Sequence, residues 1–298
     1  MFKPEVSLSD GLPADLDWQG CTGLLLDAVR LIKLSRHLEQ WTNPWVFEPL
    51  YTAAHMAGLE SLSPRVVKVE GPQQAVLQQF LAEADEEWGY LLFCDGSWEA
   101  LMEHLRWLTV VRMPYGQDVL LRIADPGVVH GLLDRAVEAG DPTLFGPCHQ
   151  ILLADGALGG WHLHSRPGPA SKARHGTRYA LSAQDLEVLE TVSLRNVMMV
   201  LKAHMQHYFP AYLEHVPLTG RWDRLNELVT ASYARGFSSE LDITLYANIH
   251  GYLGEDALNA HPDLEHLLSR GSALTPSRRV EKAAEIARCR ALGLQEPF

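Results

Sequence analysis

The chain has 298 residues, with 25 Lys+Arg against 37 Asp+Glu and a formal net charge of −12. A composition of 47% hydrophobic and 21% charged residues suits a chain that buries a core, which excludes a disordered polymer. The acidic balance excludes broad nucleic-acid binding, which needs a basic face toward phosphate. The charge is uneven along the chain: residues 1–165 hold 10 Lys+Arg and 22 Asp+Glu, and residues 166–298 hold 15 of each.

The first half alternates strand and helix signals. Gly23-Leu24-Leu25-Leu26 is a short apolar run, and Val66-Val67-Lys68-Val69 is a β-branched one after Ser63-Pro64. Helical spacing over residues 73–84 follows, on Ala75, Val76, Phe80 and Leu81. Gly89-Tyr90-Leu91-Leu92-Phe93 is the clearest buried strand, and a helix with Leu101, Leu105 and Leu108 on one stripe comes after Asp95-Gly96. Residues 109–113 and 118–123 flank the turn-forming Pro114-Tyr115-Gly116-Gln117, a hairpin signal. Asp125-Pro126 has the form of an N-cap followed by proline at the first helical position. Two further strands are expected near 149–153 and 161–164.

Residues 165–182 carry two prolines, four basic side chains and no acid, which marks a linker. Ser182, with Asp185 three residues on, then opens a long helix in the manner of a capping box, and Pro210 stops it. Further helices are expected near 221–235, 239–250, 262–269 and 276–291, the last opened by Thr275-Pro276. The expected architecture is α+β: an acidic, mixed-sheet α/β lobe over 1–165, a basic Pro/Gly linker over 166–181 and a helical lobe over 182–298.

The start, Met1 to Val6, lacks the charged and apolar regions of a signal peptide, and no stretch approaches the roughly 18 apolar residues of a spanning helix. The four cysteines are scattered without paired spacing, as reduced thiols are. A cytoplasmic protein without membrane insertion is therefore expected. No phosphate-binding glycine motif and no nucleophile elbow is present. Histidine is the abundant chemical candidate, at 14 residues. His162-x-His164 on a strand and His204-x-x-His207 on a helix each place two imidazoles on one face, as metal ligation requires. Neither pair has a third ligand nearby in sequence, so no metal and no cofactor is assigned, and polar-face roles are favoured.

Several strings form an ordered signature. They run from Gly89-Tyr90-Leu91-Leu92-Phe93 through Leu101, His104-Leu105-Arg106 and Val110-Val111-Arg112-Met113-Pro114 to Leu121-Arg122-Ile123-Ala124-Asp125-Pro126 and Phe145-Gly146-Pro147. Leu25-Leu26-Asp27-Ala28 precedes them, and His204 to Pro210, Gly236 to Asp242, Tyr246, Gly254 and His261-Pro262 follow. This pattern resembles the effector adaptor (chaperone) proteins of bacterial type VI secretion systems, a domain of unknown function. The resemblance implies no enzyme activity and two partners, a cognate toxic effector and the VgrG spike protein.

Candidate partner-binding residues are Trp41, Trp45, Arg106, Arg112, Arg122, Tyr208 and Tyr246. The fold-defining positions of the signature are Gly89, His104, Arg122, Asp125, Pro126, Phe145, Gly146 and Pro147. For Arg122 and Asp125 the favoured role is structural, Asp125 capping a helix while Arg122 pairs with an acid. Trp41 and Trp45 flank Asn43-Pro44 in a segment outside the signature. The competing functional class is a hydrolase-type enzyme with an unrecognised site in the α/β lobe.

Overall fold

A strand covered on both faces reads as a continuous apolar run, whereas a strand with one wet face alternates. Residues 21–26 and 89–94 are of the first kind, and they form the middle of a sheet. In the computed structural model, which describes residues 6–41, 47–53, 56–170, 175–214, 216, 218–269 and 274–295, the chain divides into two compact units, Met1–Val192 and Ser193–Phe298. The first unit holds 14 Lys+Arg and 25 Asp+Glu, the second 11 and 12, so nearly all the excess acid belongs to the first. The linker expected over 166–181 precedes this division, which falls inside a helix.

The first unit contains β1 (Val6–Ser7), β2 (Cys21–Leu26), α1 (Leu34–Trp41), β3 (Phe47–Pro49), β4 (Arg65–Val69), α2 (Ala75–Ala82), β5 (Gly89–Cys94) and α3 (Trp98–Leu108). The hairpin β6 (Val110–Arg112) and β7 (Asp118–Leu120) follows, then α4 (Pro126–Glu138), β8 (Cys148–Asp155), β9 (Gly160–Ser165), β10 (Tyr179–Ala180) and the start of α5 (Ala183–Tyr208). Seven strands form one sheet in the order β1-β9-β8-β5-β2-β4-β3, every neighbouring pair antiparallel. The parallel component of the expected mixed sheet is confined to a second, three-stranded sheet, where β10 runs parallel to β6. Burial of both faces explains why strand direction was illegible: a doubly covered antiparallel strand carries the same apolar run as a parallel one.

The period-two alternation of the strands divides the sheet's side chains between two cores. Leu24, Leu26, Leu91, Phe93, Leu152 and Ala154 face Leu38 of α1 and Leu77 and Phe80 of α2. Leu25, Tyr90, Leu92, Ile151 and Leu153 face Leu101 and Leu105 of α3 and Leu132 and Leu133 of α4. Helix, sheet and helix thus form three layers. Gly89 is required where β5 begins, because a Cβ there would lie 1.8 Å from the Leu25 carbonyl oxygen on β2.

The helix starts follow their sequence signals. Asp125 Oδ1 accepts from the Gly127 and Val128 amides at 3.0 and 3.3 Å, with Pro126 at the first position of α4. Ser182 and Asp185 form a reciprocal capping box at α5, with Asp185 N to Ser182 Oγ at 3.1 Å and Ser182 N to Asp185 Oδ2 at 2.7 Å.

The second unit is helical. After the end of α5 come α6 (Pro210–Glu214), α7 (Leu218–Ala234), α8 (Glu240–Leu253), α9 (Ala257–Ala260), α10 (Pro262–Leu268) and α11 (Pro276–Leu292). Its core gathers Met205, Leu225, Val229, Phe237, Ile249, Leu264 and Val280, and α8 packs along α11.

Candidate functional site

The signature residues of the first unit are tied together in three places. At the first, His104 of α3 is 1% exposed and its Nε2 lies 3.1 Å from the Leu144 carbonyl oxygen. Burial pushes its pKa down to about 4, so it is neutral at neutral pH. Gly146 passes directly against this ring with φ +52°, Phe145 is fully buried, and the Pro147 carbonyl accepts from the Asp95 amide at 3.1 Å. Arg166, just past β9, binds the same turn: it donates to Asp95 at 2.5 and 3.3 Å and to the Gly146 and Cys148 carbonyls at 3.2 and 3.1 Å. This hydrogen bonding by Arg166 holds the Asp95 carboxyl below its usual range. Sequence reading missed Arg166, since one arginine beginning a basic segment carries no local mark of such a role.

At the second, Arg106 of α3 reaches Glu48 of β3 at 2.8 Å and the Pro49 carbonyl at 3.2 Å. Trp98 Nε1 donates to the same carboxylate at 2.7 Å, and that bond is the first cause of its lowered pKa. Arg112 pairs with Asp118 across the β6–β7 hairpin at 2.8 Å, the two lying directly opposite in register. Both arginines therefore fasten local elements.

The third place joins a half-exposed arginine to buried acids. Arg122 lies between two buried carboxylates, 2.8 Å from Asp27 and 3.6 Å from Asp125. Asp27 follows β2, and its Oδ1 also accepts from the Val29 amide at 2.8 Å, which shapes the loop. That loop exposes Val29 (50%) and Ile32 (73%) and ends at Lys33, a non-glycine residue at φ +63°. Such a conformation is seldom adopted by residues with a Cβ and accompanies functional loops. Arg122 is thus a half-exposed arginine held by two buried acids, and arginine is a residue type enriched at protein contacts.

The remaining candidates separate. Trp41 stacks on Trp88 at 6.1 Å and on His37 at 5.0 Å, packed against the α1–α2 core. Trp45 lies outside the described residues. Tyr246 is 2% exposed in the core of the second unit, while Tyr208 is 64% exposed. His204 Nε2 lies 2.6 Å from Asn248 Oδ1, and His207 packs edge-on against Tyr208.

His162 and His164 face α4, because the alternate positions Trp161 and Leu163 fill the opposite core. Their partners come from that helix: His130 Nδ1 lies 2.9 Å from His164 Nε2, and the His130 and His162 rings stack at 4.0 Å. Asp134 stands one turn further along α4, and Asp155 lies 3.1 Å from His162. Burial first, then the neighbouring His162, pushes the His164 pKa down to about 4.

Among the described residues, the space between α3, α4 and the sheet holds no substrate-sized cavity. The void there is about 30 Å³, lined by apolar side chains and His104, and has room for one or two waters. In the second unit, a groove of about 570 Å³ along α8 and α11 carries ion pairs that neutralise one another, Arg278 with Glu281 and Arg288 with Glu285.

Residues 24–139, from β2 to the end of α4, match the family model of the domain of unknown function DUF4123. That segment is similar to the DUF4123 domain. The match includes Asp27, Gly89, His104, Arg106, Arg122 and Asp125, and it ends before Phe145-Gly146-Pro147, β8 and β9. Along 279 residues, 92% of this chain and 90% of the relative, the sequence is 29% identical to Accessory protein VasW of Vibrio cholerae serotype O1 (El Tor Inaba). No solved structure matches. Among the described residues, no helix is long and apolar enough to cross a membrane.

Proposed function

We propose that this chain is a protein-binding adaptor of a bacterial type VI secretion system. It holds a cognate toxic effector in the cytoplasm, passes it to the VgrG spike and performs no chemistry of its own. The observation that carries this reading is Arg122, clamped by the buried Asp27 and Asp125, together with the exposed Val29 and Ile32 in the loop that follows Asp27. Buried acids restrict the arginine before any partner arrives, so less side-chain entropy is lost on binding. The exposed aliphatic groups supply apolar area to bury. The similarity to Accessory protein VasW over nearly the whole chain supports the same role for both units.

The test is co-expression of the full chain with the products of its neighbouring genes, followed by size-exclusion chromatography. The adaptor reading predicts a stable complex with a toxin-sized partner, a spike protein or both. Migration of the chain alone in every combination contradicts it.

A further inference from the structure

We propose that His130 and Asp134 of α4 and His164 of β9 form a binding site for one divalent transition-metal ion of the zinc class. The three residues each offer one ligand atom, and these atoms all lie within 4.8 Å of one another. His130 Nε2 to Asp134 Oδ2 is 3.5 Å, and His164 Nδ1 to Asp134 Oδ1 is 3.6 Å. In a tetrahedral site with metal–ligand bonds of about 2.0–2.1 Å, ligand atoms stand about 3.3–3.4 Å apart, so both contacts to Asp134 are near that spacing and no pair of the set has to close by more than about 1.4 Å. The other two ring nitrogens, His130 Nδ1 and His164 Nε2, lie 2.9 Å apart and tie the two imidazoles together.

The local backbone explains the convergence. His130 and Asp134 are four residues apart, one above the other on the face of α4 that packs on β8 and β9. His164 projects from the sheet toward that face. Two further groups support the cluster: the His162 ring stacks on His130, and Asp155 in turn holds His162 at 3.1 Å. Such outer contacts orient the ligating rings.

The donor set selects the ion. Two imidazoles and one carboxylate suit zinc, cobalt or nickel, whereas calcium and magnesium prefer oxygen ligands throughout. The side chains of His130 and His164 are 13% and 8% exposed and that of Asp134 is 28% exposed, so the ion enters from the Asp134 side and retains water there. The bond it makes is a staple between α4, inside the DUF4123 match, and β9, outside it. This inference is independent of the adaptor reading.

The experiment uses the full chain, purified without a histidine tag and stripped with a chelator. Zn²⁺ is titrated in competition with a chromophoric chelator, and Co²⁺ is titrated by visible absorption. The expected result is one equivalent of Zn²⁺, tetrahedral Co²⁺ bands and a raised Tm with Zn²⁺. Asp134→Asn and His164→Gln are expected to weaken binding at least about tenfold, with His204→Gln and His207→Gln unchanged. Absence of stoichiometric binding overturns the proposal, and so does wild-type affinity in Asp134→Asn. Circular dichroism checks the fold of each variant; if the buried His164→Gln does not fold, the partly exposed Asp134→Asn decides.

Discussion

Gly146 lies against the face of the His104 ring, so closely that a Cβ on it would stand 2.4 Å from His104 Cδ2. This single approach explains why a histidine in α3 and a glycine some forty residues later belong to one signature. It also predicts the cost of changing either. Gly146→Ala must crowd a buried ring and strain a backbone at φ +52°, which together destabilise the first unit by about 2–4 kcal/mol. Urea unfolding measures this, and a loss below about 0.5 kcal/mol contradicts the packing described. Gly89→Ala is expected to be worse, with no soluble folded protein, because its neighbour at 1.8 Å is backbone in the middle of the sheet.

The buried, neutral His104 makes stability fall in mild acid. Its folded pKa of about 4 lies below the ordinary value of 6.5, so between these values the unfolded chain binds the extra proton. Stability from this group is complete above about pH 6.5 and is lost as pH falls toward 4, by roughly 3 kcal/mol in all. Unfolding free energies across that window should decline with acid, and His104→Gln should flatten the slope. An unchanged slope contradicts a neutral buried imidazole.

Arg122 neutralises two buried carboxylates, and this fixes the effect of removing it. Arg122→Met is expected to destabilise by about 2 kcal/mol, below the 3–5 kcal/mol typical of a fully buried pair because the guanidinium is 49% exposed. Asp27→Asn with Arg122→Met should cost less than the sum of the two single changes. Additive losses in a double-mutant cycle would sever the pairing.

Cys94 and Cys148 face each other across β5 and β8 with their Sγ atoms 3.2 Å apart, both free thiols and both buried. The hydrogen bond to Cys148, together with burial, pushes the Cys94 thiol far up, which leaves negligible thiolate. A thiol reagent at pH 8 should leave both unmodified in the native protein and label all four cysteines after unfolding. Fast native labelling of either contradicts their burial.

What could be read from the sequence was local. The caps Asp125-Pro126 and Ser182/Asp185 and the strand runs at 21–26 and 89–94 correspond to elements because each signal lies within a few residues. Pairings between distant segments left no such trace. Nothing near Tyr179 announces its parallel register with Val111, and nothing near His164 announces His130 and Asp134. The spacing His162-x-His164 shows two imidazoles on one face, but its missing ligands come from a helix some thirty residues earlier. Arg166 was illegible for the same reason, since its partners Asp95 and Gly146 are brought to it only by the sheet.

The most direct measurement of the central claim is effector capture by a chain altered only at the exposed loop. Val29→Asp with Ile32→Asp changes two side chains that are 50% and 73% exposed, so the fold and Tm should stay within a few degrees of wild type. The adaptor account predicts that the purified variant binds the effector encoded beside it at least about a hundredfold more weakly, as expected when a charge enters the centre of a contact. Wild-type affinity in this folded variant would contradict the placement of the partner on the Asp27–Arg122 face.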